Sequence, residues 1–136
     1  MKKLLFLLTI STVLFSCKVT WVPAKSAPQI VNVLDIQTST TSLYDAIIAS
    51  SDRRYVTYQS DYATIGRKID TLVSVNLVRP HGANILQQSL LLQTYFYKYE
   101  GDHKARGILS VGDLRVYRDY LKSFIKPILI SELSLK

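Results

Sequence analysis

Apolar residues recur every three or four positions along most of the chain after residue 26, which is the spacing of amphipathic helices. The clearest run follows the turn Ser51-Asp52-Arg53-Arg54 and alternates steps of three and four. Its members are Tyr55, Tyr58, Tyr62, Ile65, Ile69, Leu72 and Asn76. A seam of this kind packs against neighbouring helices at a shallow angle. Pro80 and Gly82 predict the end of this helix.

The first helix of the chain is predicted to run from Ser26 to about Ser50, before the helix that begins near Tyr55. Ser26 and Gln29 have the spacing of a capping box, and Pro28 suits a first turn. The predicted inner stripe is Ile30, Val33, Leu34, Gln37, Thr41, Tyr44, Ile47 and Ile48. Hydroxyl side chains over 38–42 lower helix propensity, so a break there, or a strand over 30–36, remains an alternative.

Two further helices follow. Asn84 and Gln87 repeat the capping-box spacing, and the stripe runs to about Lys104. Gly101 and Gly107 are predicted to bracket a loop. The inner stripe of this third helix is Ile85, Leu86, Leu90, Leu92, Phe96, Tyr97 and Tyr99. Ser110 is predicted to cap the fourth helix, which Pro127 should kink. Its stripe is Leu114, Tyr117, Leu121, Phe124, Ile125, Ile128 and Leu129.

Four helices of similar length joined by short turns predict an all-α fold, an antiparallel up-down-up-down four-helix bundle over residues 26–136. The start of the chain has a different pattern, with Lys2 and Lys3 followed by an apolar run over 4–15. That run is shorter than the roughly 20 residues that span a bilayer. The pattern predicts a secretory signal peptide over residues 1–16.

Cys17 is the sole cysteine and closes the tetrapeptide Leu14-Phe15-Ser16-Cys17. This tetrapeptide resembles the lipobox of bacterial lipoproteins, and the bulky Phe15 resembles the looser form found in the Bacteroidota. The resemblance implies cleavage before Cys17, attachment of acyl chains such as palmitate to Cys17, and a tether over residues 17–25. Two or more chains hold a protein stably on a membrane. Alternatives are cleavage by an ordinary signal peptidase after Ser16, or an uncleaved anchoring helix.

The resemblance also implies a location. Lys18 stands where an aspartate retains lipoproteins in the inner membrane, so the outer membrane is favoured. No acidic cluster follows Cys17, since the first carboxylate is Asp35, and this favours the periplasmic face. Trp21, within the tether, is expected either at the lipid interface or docked on the domain.

Charge and chemistry narrow the function. Without Lys2 and Lys3 the chain carries 15 Lys and Arg against 10 Asp and Glu, spread without a basic block, so no nucleic-acid partner is expected. Acylation of Cys17 leaves no thiol for disulfides or thiolate chemistry. His81 and His103 are predicted in loops at opposite ends of the bundle, too far apart to share a metal. We therefore predict no enzymatic activity, no metal and no cofactor.

The carboxylates and the polar residues on the apolar stripes do not predict a catalytic site either. Asp61 and Asp70 are expected to face solvent, and Glu100 and Asp102 to flank a loop, so no paired catalytic carboxylates are predicted. The polar positions on the apolar stripes either line a ligand cavity or fix the register of the helices. These positions are Gln37, Thr41 and Asn76.

The antiparallel topology places all nine tyrosines in the half of the bundle far from the tether. They either fill a wide end of the core or, with nearby arginines, form a docking surface, because Tyr and Arg are enriched at binding hot spots. The predicted partner-binding residues are Tyr55, Tyr58, Tyr99, Tyr117, Tyr120, Arg53, Arg54, Arg115 and Arg118.

The predicted function is that of a lipid-anchored envelope protein, a non-enzymatic helical adaptor or assembly subunit of a cell-envelope complex. Its expected partners are membrane lipid, through Cys17, and an envelope protein. Small accessory lipoproteins of Bacteroidota contractile secretion systems are similar in address, size and helicity. Two alternatives remain: an inhibitor or immunity lipoprotein against a periplasmic hydrolase or toxin, and a small-ligand-binding lipoprotein.

Overall fold

A computed structural model describes residues 25–135, which form four helices in sequence. These are α1 (Ala27–Ala49), α2 (Tyr55–Leu77), α3 (Ala83–Arg106) and α4 (Val111–Ser134). Each packs against two others, in the ring order α1, α2, α3, α4 and back to α1. Because the connections are short, successive helices run antiparallel. The predicted four-helix bundle is confirmed, while the signal peptide, Cys17 and Trp21 lie outside the described residues.

Helix α1 is continuous through residues 38–42, so the predicted alternatives of a break or a strand are wrong. Its buried face differs from the predicted stripe and comprises Val33, Ile36, Thr40, Leu43, Tyr44 and Ile47. Leu34 is instead 45% exposed. Gln37 and Thr41 line an open groove beside Lys122 of α4, rather than an enclosed cavity. The Ser26 side chain makes no capping hydrogen bond, so the first predicted capping box is wrong.

Helix α2 confirms the predicted seam, from Tyr62 to Asn76 on its buried face, with Tyr55 and Tyr58 partly buried at its start. Gly66 lies on this face directly beneath Tyr97 of α3, whose hydroxyl would lie 2.9 Å from an added Cβ. The Tyr97 hydroxyl donates to Asp70 at 2.7 Å, and Asp70 also accepts from Gln93 of α3 at 2.8 Å. Asp70 therefore links two helices, contrary to the prediction that it faces solvent.

Helix α3 extends through Gly101 to Arg106, so the predicted loop between residues 101 and 107 is wrong. It ends at Gly107, whose φ of 71° is a left-handed conformation that glycine adopts without strain. The predicted capping box at Asn84 is also wrong, because the helix begins at Ala83 and Asn84 lies inside it. Its buried face is Ile85, Ser89, Leu92, Phe96, Tyr99 and His103.

Helix α4 begins as predicted, with the Ser110 hydroxyl accepting from the Asp113 backbone N–H at 3.0 Å. It passes through Pro127 and continues to Ser134. Glu132, in its last turn, is fully buried and forms an ion pair with Arg79 of the α2–α3 connection. None of the helices within residues 25–135 has the length and apolarity needed to cross a membrane.

Candidate functional site

The two ends of the bundle have different side chains. We call the end where α1 begins the proximal end, and the opposite end, where α2 and α4 begin, the distal end. All nine tyrosines lie in the distal half of their helices, as predicted from the topology. An isolated antiparallel bridge between Arg54 and Ile108 joins the two distal connections, and the Tyr55 backbone N–H donates to the Gly107 carbonyl at 2.8 Å.

Some of these tyrosines form a buried aromatic cluster with Phe96 and His103. Tyr62, at its centre, lies 6.3 Å from the Tyr44 ring and 6.0 Å from the Phe96 ring, measured between centroids. Tyr55 stacks on Tyr62 at 5.7 Å and donates its hydroxyl to Glu100 at 2.9 Å. Partial burial and the Glu100 carboxylate raise the pKa of Tyr55 to about 12. These rings fill the distal core. This supports the interpretation that these tyrosines fill a wide end of the core.

His103 is a buried core residue, and its prediction as a loop residue is wrong. Its Nε2 lies 2.9 Å from the Arg53 carbonyl oxygen, and its Nδ1 lies 3.1 Å from the Tyr62 hydroxyl. Because a carbonyl only accepts, Nε2 carries the proton and Nδ1 accepts from Tyr62. The imidazole thereby joins α3, α2 and the α1–α2 connection. Burial lowers the pKa of His103.

Lowering the pH is expected to destabilise the protein through His103. Its pKa is lower in the folded than in the unfolded protein, where it is about 6.5. The unfolded chain therefore takes up a proton first, and the free energy of unfolding falls as the pH drops below about 6.5, by at most about 1.4 kcal/mol per pH unit. Urea titrations at pH 7.5 and 5.5 measure this loss. His103→Gln should abolish most of it, whereas the matched variant His81→Asn should retain it.

Removing the hydroxyl group from either of two tyrosines in the cluster should change the free energy of unfolding in different ways. The Tyr62 hydroxyl satisfies Nδ1 of His103, so Tyr62→Phe should lower the free energy of unfolding by about 1–3 kcal/mol. The Tyr44 hydroxyl is buried without a hydrogen bond of good geometry, and its burial raises the pKa of Tyr44 well above the usual value. Tyr44→Phe should therefore be neutral or stabilising. Chemical denaturation of both variants checks the contrast, which equal losses would contradict.

A second group of rings runs along the outer groove between α3 and α4. We call it the aromatic strip; it consists of Tyr95, Tyr99, Tyr117, Tyr120 and Phe124. Tyr99 and Tyr117 stack at 4.1 Å between centroids, and Tyr95 stacks on Phe124 at 4.6 Å. Tyr99 is buried, its neighbours are partly buried, and Tyr120 is 54% exposed. The strip thus combines a rigid stacked base with one ring directed into solvent.

Polar groups border the aromatic strip. The Tyr117 hydroxyl donates to Asp102 at 3.1 Å, and burial together with this carboxylate raises the pKa of Tyr117. The Lys98 ammonium lies 5.9 Å from the Tyr95 ring centroid, within cation–π distance. Arg106 of α3 pairs with Asp113 of α4 at 2.8 Å. Asp102 lies inside α3 rather than beside a loop, contrary to its prediction.

The predicted partner-binding residues divide between different sides of the distal end. Tyr99, Tyr117 and Tyr120 meet in the aromatic strip. Arg118 lies on the opposite flank of α4, where it pairs with Asp45 of α1 at 2.6 Å. Arg115 is exposed on α4.

The remaining predicted residues belong to α2 and the turn before it. Arg54 pairs with Asp52 at 2.9 Å, and this guanidinium holds the pKa of Asp52 well below its usual range. Arg53 is partly buried beside His103, and Tyr58 packs against the core. A single continuous surface formed by all nine predicted residues is therefore absent from the described part of the chain.

Comparisons with known proteins do not assign the chain to a family. The chain matches no family model, no curated protein and no solved structure. Within residues 25–135, no three His, Cys, Asp or Glu side chains converge in a way that could hold a metal ion. The arrangement that stands out chemically is the aromatic strip, which offers stacking, apolar area and hydroxyl groups to a macromolecular surface.

Proposed function

We propose that the protein is a lipid-anchored, non-enzymatic adaptor or assembly subunit of a cell-envelope complex, which binds a protein partner through the aromatic strip. The amino-terminal pattern at Cys17 supports the anchor, and the distal half of the bundle supplies the binding surface. Each helix of 23 or 24 residues is about 35 Å long at 1.5 Å per residue. The aromatic strip is thereby held away from the anchored end of the chain.

The observation that carries this proposal is the exposure of Tyr120, which by its spacing from Tyr117 and Phe124 lies on the same face of α4 as the stacked rings. A tyrosine contributes large contact area and gives up little conformational entropy on binding, since only two side-chain torsions become fixed. Tyr99, Tyr117, Tyr95 and Phe124 are already held in place by stacking, so the strip is preorganised. Binding hot spots are rich in such rings.

Site-specific photocrosslinking in intact cells tests the proposal. A photoreactive phenylalanine analogue replaces Tyr120 in the full chain, and a matched variant carries it at Ser60, an exposed position near the distal end of α2. We expect an envelope protein to crosslink to position 120 and not to position 60. Tyr120→Ala should weaken binding of that protein by about tenfold or more, equivalent to about 1.4 kcal/mol.

The same cells separate this proposal from its competitors. Labelling with an alkyne palmitate analogue should mark the native chain and not Cys17→Ser. A crosslinked hydrolase or toxin that loses activity in the complex would identify an inhibitor instead. An absence of crosslinks from every position in the aromatic strip, in a folded and acylated protein, would contradict the adaptor function.

A further inference from the structure

The proximal end exposes several large apolar side chains to water. We define it here as residues 25–34, 71–90 and 128–135, which cover two turns of each helix and the α2–α3 connection. Leu77 and Val78, adjacent in sequence, are the two most exposed large apolar side chains of the described residues, at 67% and 79%. Five further large apolar side chains are more than 40% exposed in these segments: Val31, Leu34, Leu90, Ile130 and Leu133.

The same end lacks exposed negative charge over the described residues. Glu132 is its one carboxylate, and this side chain is fully buried in its ion pair with Arg79. The corresponding segments at the distal end carry six carboxylates: Asp45, Asp52, Asp61, Glu100, Asp102 and Asp113. Carboxylates are therefore concentrated away from the end where α1 begins. An anionic surface would therefore meet less repulsion at the proximal end than at the distal end.

We propose that the proximal end is a membrane-contacting surface, with Leu77, Val78 and Leu133 inserted at the lipid headgroup level. The proposal rests on the proposed membrane anchoring. The residues that follow Cys17 join the bundle at this end, and the eight residues 18–25 reach at most about 29 Å when extended. An anchor at residue 17 thus keeps the proximal end within a short distance of the bilayer.

The chemistry of this surface fits an interface between headgroups and acyl chains. Apolar side chains gain free energy on leaving water, and those beside a tethered anchor need no separate association step. Within the three described segments, burial of Glu132 leaves no exposed carboxylate to oppose contact with phosphate groups. Seating the proximal end on lipid would direct the helix axes away from the membrane and project the aromatic strip towards its partner.

Tryptophan fluorescence in vesicles tests the contact. The full acylated chain carrying Trp21→Phe receives one reporter, Leu77→Trp or Leu133→Trp, and is reconstituted into phosphatidylethanolamine and phosphatidylglycerol vesicles containing a brominated phosphatidylcholine. Both positions are exposed, so the bundle should tolerate the change. We expect blue-shifted emission and quenching by the brominated lipid for both reporters. The matched distal variant Ser51→Trp should show neither.

The outcomes distinguish the contact from the anchor. In one outcome the protein is acylated, but the reporters at 77 and 133 emit as in water and are not quenched. This result would overturn the membrane contact and leave the anchoring proposal intact. Blue-shifted but unquenched reporters would show that protein, such as residues 17–24 or a second copy, covers this end, which also overturns the contact. A chain that neither carries an acyl group nor associates with vesicles would overturn both proposals.

Discussion

Arg79→Met is expected to lower the free energy of unfolding by about 3–5 kcal/mol, because it leaves the Glu132 carboxylate buried without its cation. The side chains of Arg79 and Glu132 are 10% and 0% exposed. The second carboxylate oxygen of Glu132 is also buried and accepts no hydrogen bond. Glu132→Met should also lower the free energy of unfolding, since it removes the carboxylate that pairs with the Arg79 guanidinium. Urea denaturation at pH 7.5 measures both losses.

The double variant Arg79→Met/Glu132→Met decides what the ion pair contributes. Two apolar side chains in place of a buried pair are often neutral or stabilising, so the double variant should be more stable than either single variant. A matched control is Arg106→Met, which breaks the exposed pair with Asp113 and should cost less than about 1 kcal/mol. Single losses as small as this control, or a double variant less stable than both, would contradict the prediction.

Phe96→Ala is expected to have an effect of comparable size, a loss of about 3–5 kcal/mol, for a different reason. Phe96 is fully buried, with its ring centroid 6.0 Å from that of Tyr62 and 5.6 Å from that of Tyr97. Truncation removes apolar contact and leaves a cavity that the surrounding helices fill only in part. Thermal and urea denaturation, followed by circular dichroism, measure the loss.

Tyr120→Ala is the matched control for Phe96→Ala, because Tyr120 is more than half exposed and its truncation should change stability by less than about 0.5 kcal/mol. The pair of variants separates folding from binding in the distal half. Phe96→Ala should lose stability, whereas Tyr120→Ala should lose the proposed partner alone. A Phe96→Ala loss below about 1 kcal/mol would show that the distal core is loosely packed.

Spacing alone predicted four helices, their order and most of their boundaries, because each inner face repeats at three and four residues. The same spacing also places two polar residues on buried faces, and this was not predicted. Leu92, Phe96, Tyr99 and His103 continue the seam of α3 in steps of four, three and four. On α4 the seam continues in steps of three and four through Ile125, Ile128 and Glu132. His103 and Glu132 therefore lie in the core by position, against the preference of their side chains for water.

Other features depended on contacts between distant parts of the chain. On α1 the predicted stripe included Leu34 and missed Thr40, because several hydroxyl residues made two neighbouring faces nearly equivalent. The topology correctly placed the tyrosines towards one end. Their division into a buried cluster and an exposed strip, with Arg118 on the far side of α4, depends on which helices are neighbours around the ring, and helical periodicity carries no such information.

The ring order of the helices also has a mechanical consequence. Residue 25 enters at the start of α1, and α1 packs along its length against both α2 and α4. A pull between that residue and the distal end runs parallel to the helix axes. Such a force shears all side-chain layers of two interfaces at once, instead of peeling them apart one by one. Tension applied in this direction therefore loads the α1–α2 and α1–α4 interfaces in parallel.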